Sequence, residues 1–349
     1  MLGPMSARAS TGARREPAAR WRLELPGYIQ QLCFSPDGEL LVAVSLAGPV
    51  GLINVADGSV RLLIHNREDG ALSAAWSPDG KTLAVGGHDH RVQLFDRKGK
   101  ARAALDAGGA WVEHLAWSSD GQWLAAAAGK SLRLFTADGA LAVEHRAHPA
   151  TITGLSWLGK HGLFGTSAYG GLLFFEPGKP EVAEKLPLAG AIAALACSPD
   201  GRFVATGNHE NSVHAWDLKG LADVHMPGYP TKVQVLAFRP DSKVLATGGG
   251  EDLALWDFSG PKGPAGTKPK VLEGHRGVVT DAAWLDRGGE PWLASVGADG
   301  RLCLWQPERA KRPRATLLEK QGLSRVAAAP GGLALAIGGS SGAVALFGW

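Results

Sequence analysis

Only three cysteines occur in 349 residues, and Cys33, Cys197 and Cys303 each lie inside an apolar, strand-like run. An odd number so placed reads as buried thiols in a reducing compartment, not as a disulfide framework. No apolar run approaches the roughly 20 residues that a membrane-spanning helix needs. The first residues hold no apolar stretch of the signal-peptide kind. Net charge is scarce too. The formal charge of +3 is that of the first twenty residues, where Arg8, Arg14, Arg15 and Arg20 face Glu16 alone. The other 32 basic and 32 acidic side chains cancel, which speaks against a nucleic-acid footprint on the body of the protein. CxxC, HExxH, GxxxxGK(S/T) and GxSxG do not appear in the context that their chemistry requires. Helical periodicity longer than one turn is missing as well.

What is present is repetition. The string "CFSPDGELLVAV" (33–44) returns as "AWSPDGKTLAVG" (75–86), "AWSSDGQWLAAA" (116–127), "ACSPDGRFVATG" (196–207) and "AFRPDSKVLATG" (237–248). Weaker copies are "SWLGKHGLFGTS" (156–167), "AWLDRGGEPWLASVG" (283–297) and "AAPGGLALAIGG" (328–339). The residue before each turn is Phe34, Trp76, Trp117, Trp157, Cys197, Phe238, Trp284 or Ala328, at spacings of 40 to 46 residues. A second landmark follows each copy, centred on Asn54, Phe95, Phe135, Phe175, Trp216, Trp256, Trp305 and Phe347. Both series count eight units. Ser-Pro-Asp-Gly between short apolar runs is a hairpin turn, since Pro presets φ and Gly accepts positive φ. Each unit therefore holds three clear strands and a fainter fourth, such as "ARAAL" (101–105) or "EVAEKL" (181–186). Four antiparallel strands at a period near 40 make one blade of a β-propeller.

The expected architecture is all-β: residues 1–19 a disordered basic tail, residues 20–349 one propeller of eight blades, with seven the alternative. The tail is Arg-, Ala- and Ser-rich and acid-poor, a composition that transit peptides share. The last unit supplies three strands only. "RWRLEL" (20–25) has no blade of its own and alternates Trp21, Leu23 and Leu25 against Arg22 and Glu24. It is expected to pair with the strand around Phe347 and so close the ring.

The units resemble WD repeats. "EGHRGVVTDAAW" with "LASVGADGRLCLW", and the dipeptides Trp216-Asp217 and Trp256-Asp257, carry the resemblance. It implies a blade-internal hydrogen-bonded tetrad of His275, Ser295, Asp299 and Trp305. A Ser, a His and an Asp also compose a hydrolase triad, but Asp299 falls in a tight turn, so the structural reading is preferred. Elsewhere the tetrad is fragmentary: His148 meets Tyr169 at the Asp position, and Asp89 meets Arg67 at the His position. The resemblance also implies a partner-facing end of the ring, where Tyr28, Trp111, Thr151, Lys232 and His88 are expected together with Tyr229. His88, Asp89 and His90 form the one local metal-like cluster, but ligands from one turn rarely make a closed site, so an exposed polar turn is the preferred reading. Two loops, 258–270 and 306–316, read as solvated and basic.

The expected function is a non-catalytic scaffold for other proteins, in the cytoplasm, monomeric by itself, without cofactor, nucleic acid or membrane. A small-ligand or metal-binding propeller is the alternative, and a hydrolase ranks last.

Overall fold

The computed structural model describes residues 18–64, 70–146, 148–158, 162–167, 169–220 and 222–348. The tail through residue 17, Arg67 and Trp349 lie outside the described residues. The turn chemistry read from the sequence operates as a local hydrogen-bond set. In the first copy Ser35 Oγ donates to Asp37 Oδ1 at 2.6 Å and accepts from Leu40 N at 3.0 Å. Gly38 closes the turn at φ 75° and donates its N–H to Ser35 O. In the blade-six copy Ser242 takes this left-handed position instead, at φ 63°. Its hydroxyl accepts a hydrogen bond from Asp200 N of blade five.

The described residues form eight four-stranded antiparallel sheets; seven run in plain sequential order, and the eighth joins the first strand of the chain to the last three. Their innermost strands are Ile29–Phe34, Ala71–Trp76, Val112–Trp117, Ile152–Leu158, Ile192–Cys197, Val235–Phe238, Val279–Arg287 and Leu323–Ala328. Eight blades are present, not seven. The fainter strands exist as Ala101–Asp106 and Val182–Leu186. A single turn of 3-10 helix, Pro330–Gly332, is the one helical element among the described residues.

Blade eight is closed as expected. Strand Ala19–Glu24 pairs with Ala343–Gly348, with Trp21 opposite Leu346 and Leu23 opposite Val344. Its side chains alternate half-buried and exposed, as the sequence alternation requires.

Blades stack through apolar clusters that each draw on two neighbours, for example Leu253, Trp284 and Trp305 across blades six and seven. Three of the four tryptophans that precede a turn have a second task. Trp117, Trp157 and Trp284 donate their indole N–H to Ala75, Ala116 and Ala237 O of the preceding blade, at 3.2, 3.0 and 2.9 Å. Polar side chains of the inner strands stitch blades in the other direction. Gln31 exchanges two hydrogen bonds with the backbone of Ala74, and Asp281 accepts from Val326 N.

The loops differ from their sequence reading. Phe258 is 2% exposed and packs edge-on against Phe203 and Phe238, so the 258–270 loop is anchored in the core and not simply solvated. In the 306–316 loop, Arg309 pairs with Glu290 and Arg312 with Glu273, which neutralises much of its basic character.

Candidate interaction face

The connections between blades and the turns between second and third strands share one end of the propeller. A repeated backbone bond joins them. Leu46 N donates to Tyr28 O, His88 N to Gly70 O, His209 N to Ala191 O, Ala298 N to Val278 O and Ser340 N to Gly322 O, at 2.9 Å each. The acceptors all stand six residues before the first landmark. In these five blades the position is thereby fixed at the rim while its side chain varies from blade to blade.

Trp111 occupies it in blade three and is 55% exposed. Its ring meets the edge of His88 at 4.5 Å and 66°. His88 is held by its backbone bond and by Gly70, where an added Cβ would lie 3.0 Å from His88 Nδ1. Thr151 and Lys232 are exposed on the same rim, and Tyr28 is half-buried.

Tyr229 departs from its expected place as an exposed contact residue. It is half-buried against the blade-five and blade-six core. Its hydroxyl accepts the indole N–H of Trp256 at 2.7 Å and shares a hydrogen with Thr247 Oγ1 at 2.6 Å. Desolvation raises its pKa, the two hydrogen bonds opposing. Tyr229 stands nine residues before Phe238, the same offset that places His275 before Trp284. That offset was the available signal: a blade whose tetrad uses Tyr in place of His.

The metal-like turn does not converge. Asp89 accepts from Arg91 N and Gln93 Nε2, His88 lies on Trp111, and His90 carries a left-handed φ of 64°. No group of three or more His, Cys, Asp or Glu side chains among the described residues is placed to hold a metal ion.

The structure brings His275, Ser295, Asp299 and Trp305 together. Trp305 Nε1 donates to Ser295 Oγ at 2.9 Å, Ser295 Oγ lies 2.7 Å from His275 Nε2, and His275 Nδ1 lies 3.2 Å from Asp299 Oδ1. Arg276 N and Arg301 N donate to the Asp299 carboxylate at 2.7 and 3.1 Å. Burial alone would raise the Asp299 pKa, but these N–H donors and His275 outweigh it and hold the carboxyl below its ordinary value. Burial lowers the His275 pKa despite Asp299. Ser295 is wholly buried and the His275 side chain is 1% exposed, which leaves no approach for a substrate. Asp299→Ala is expected to cost roughly 1–3 kcal/mol, because His275 and two N–H groups lose a buried partner. Thermal melting of the variant checks this, and an unchanged melting temperature would contradict it.

Other chemistry finds no support. "GGSSG" (338–342) has the letters of GxSxG, but it lies in the hairpin between Ala334–Gly339 and Ala343–Gly348, with no helix to follow. The cysteines are free. Burial pushes Cys33 up to about 12 and Cys303 to about 11, and raises Cys197 as well, so none is poised as a nucleophile. No helix among the described residues is long and apolar enough to cross a membrane.

Eight radial sheets, a repeated turn and a tetrad inside one blade define a repeat propeller. The "WD domain, G-beta repeat" family matches residues 63–96, 100–136, 187–217 and 266–306, so this β-propeller carries WD repeats at those positions. The telomerase protein component 1 of Rattus norvegicus is 26% identical over 249 residues, which are 67% of this chain and 9% of that protein. The UBP9-binding protein bun62 of Schizosaccharomyces pombe is 32% identical over 129 residues, 35% of this chain and 23% of that one. The chain thus spans a small part of either relative. The crystal structure of the computationally designed Ika8 protein superposes with a TM-score of 0.78 over 93% of this chain and 98% of that one, at 17% identity. That likeness concerns the fold alone.

Proposed function

We propose that this protein is a non-catalytic scaffold that binds other proteins across the rim carrying Trp111. The observation behind this reading is Trp111 itself: a large aromatic, 55% exposed, braced by His88 and not covered by a neighbouring loop. Aromatics with few rotatable bonds are over-represented among residues that carry binding energy. Leu46, Tyr169 and Val278 add exposed apolar area at the same end of the ring. A propeller with a buried tetrad and unreactive thiols acts through its surface, and one relative is itself named as a binding protein. Buried, unpaired thiols suit a reducing compartment such as the cytoplasm.

Trp111→Ala is expected to weaken capture of the partner at least fivefold, about 1 kcal/mol, while the melting temperature stays within a few degrees. Quantitative affinity purification of wild type and variant, beside thermal melting, measures both. Identical capture by the two proteins sinks the reading.

A further inference from the structure

The innermost strands carry a position, four residues before the first landmark, that stitches one blade to the next. In three blades its side chain donates a hydrogen bond to a backbone carbonyl of the following blade. Gln30 Nε2 donates to Leu72 O at 3.3 Å, Thr280 Oγ1 to Leu323 O at 2.7 Å and Ser324 Oγ to Ile29 O at 2.8 Å. Seven of the eight blades place a neutral residue there, and blade three alone places an acid, Glu113. An ionised carboxylate can only accept, so it cannot make this stitch. Glu113 has no hydrogen bond or ion pair to another described residue. It is half-buried. Burial raises its pKa, and His88 works against that rise.

Glu113 lies two residues beyond Trp111, at the bulge that opens strand Val112–Trp117. His88 links the pair: it packs on the indole and acts electrostatically on the carboxylate. Resting on the proposed scaffold function, we infer that Trp111 and Glu113 form a pocket for one cationic side chain, lysine or arginine, of the partner protein. An indole face attracts a cation through its quadrupole. A partly desolvated carboxylate gives that cation a charge-assisted hydrogen bond. Together they answer two features that the fold by itself does not require: an uncovered tryptophan, and a charge at a position where the other seven blades place neutral side chains.

The test is a peptide array carrying hexapeptides with arginine, lysine, citrulline or norleucine at each position, probed with the full chain and its variants. Binding is expected to require one arginine or lysine, with at least a tenfold loss on exchange for citrulline or norleucine. Comparison of the arginine and lysine arms reports which cation is preferred. Glu113→Gln should lose the same tenfold on the basic peptides. Its melting temperature should hold or rise, because glutamine restores the donor that Gln30 supplies in blade one. A residue that merely stitched the blades would give the opposite pattern: altered melting and unaltered binding. Peptides that depend on Trp111 but bind Glu113→Gln equally well overturn the cation pocket and leave the scaffold reading standing. An array without any Trp111-dependent binding overturns both.

Discussion

Removal of residues 1–26 is expected to lower the melting temperature by more than about 10 °C and to cause aggregation, whereas removal of residues 1–18 changes neither. The difference between the two is strand Ala19–Glu24 and the residues that dock it. The strand supplies the outer ladder of blade eight, and Leu25 N continues the pairing onto Gly342 O at 2.9 Å. It also crosses to blade one. The Trp21 indole donates to Val55 O at 2.9 Å. Its ring lies over Gly58, where an added Cβ would approach Trp21 Cγ to 2.7 Å. Gly58 adopts φ 73°, so the turn needs glycine both for its backbone and for this approach. Trp21, Leu23 and Leu25 pack with Ile53, Val55 and Leu346. Arg22 reaches Glu319 with two hydrogen bonds, at 2.9 and 2.8 Å. Leu25 at roughly 1.5–3 kcal/mol, the half-buried Trp21 and Leu23 at about half that each, and the lost ladder bring the loss to about 5 kcal/mol, a large part of ordinary domain stability. At a few degrees per kcal/mol this gives the stated shift. The newly bare edge of Ala343–Gly348 explains the aggregation. Equal melting and solubility of the two truncated proteins would refute closure as a source of stability.

Acidification from pH 7 to pH 4 is expected to cost several kcal/mol, and blade four should open first. His148 stands where blade seven has His275, but its partners are missing. Gly165 replaces the serine and Phe175 the tryptophan, while Tyr169 holds the Asp position and is itself 64% exposed. His148 is 4% exposed, and neither of its ring nitrogens has a hydrogen-bond partner among the described residues. His145, 2% exposed, uses Nδ1 on Pro180 O at 3.0 Å and leaves Nε2 without a partner. Both rings lie on Phe175, with centroids at 5.7 and 4.1 Å. Burial, and then the neighbouring His145, holds His148 down at about 4. Burial also lowers His145, against the pull of Pro180 O and Glu181.

A histidine with a lowered folded pKa is protonated first in the unfolded chain. Its contribution is therefore intact above about pH 6.5 and is lost as pH falls towards 4. For His148 the loss by pH 4 is about 3 kcal/mol. His114, also held at about 4 by burial, adds to the slope. The buried Asp281, whose carboxyl burial raises, works the other way. The discriminating measurement compares wild type with His148→Leu by denaturant unfolding across this range. The variant should lose much of the slope, and hydrogen exchange at pH 5 should be fastest in residues 145–152 and 172–175. Parallel pH profiles for the two proteins would remove blade four as the source.

The sequence by itself determined the repeat unit, the number of blades and the manner of closure. The repeat rests on local chemistry: a Ser-Pro-Asp-Gly turn needs only its own five or six residues, and with the second landmark, which also marks the units whose turns differ, it counts eight units near every 40 positions. The same offsets located His275, Ser295, Asp299 and Trp305. Only the tertiary structure decided how each repeat position is used, because that depends on which surface the neighbouring blade presents. Tyr229 and Trp111 are both large aromatics in connections between blades; the nine-residue offset of Tyr229 hinted at a tetrad place, but only the fold shows Trp256 and Thr247 drawing its hydroxyl inward while Trp111 meets only the edge of His88. Gln31 and Asp281 read as polar residues in apolar strands until the backbone of the next blade appears beside them. The Glu113 charge was visible at its repeat position, but its lack of a partner was not, since a missing bond is a property of everything that surrounds the carboxylate.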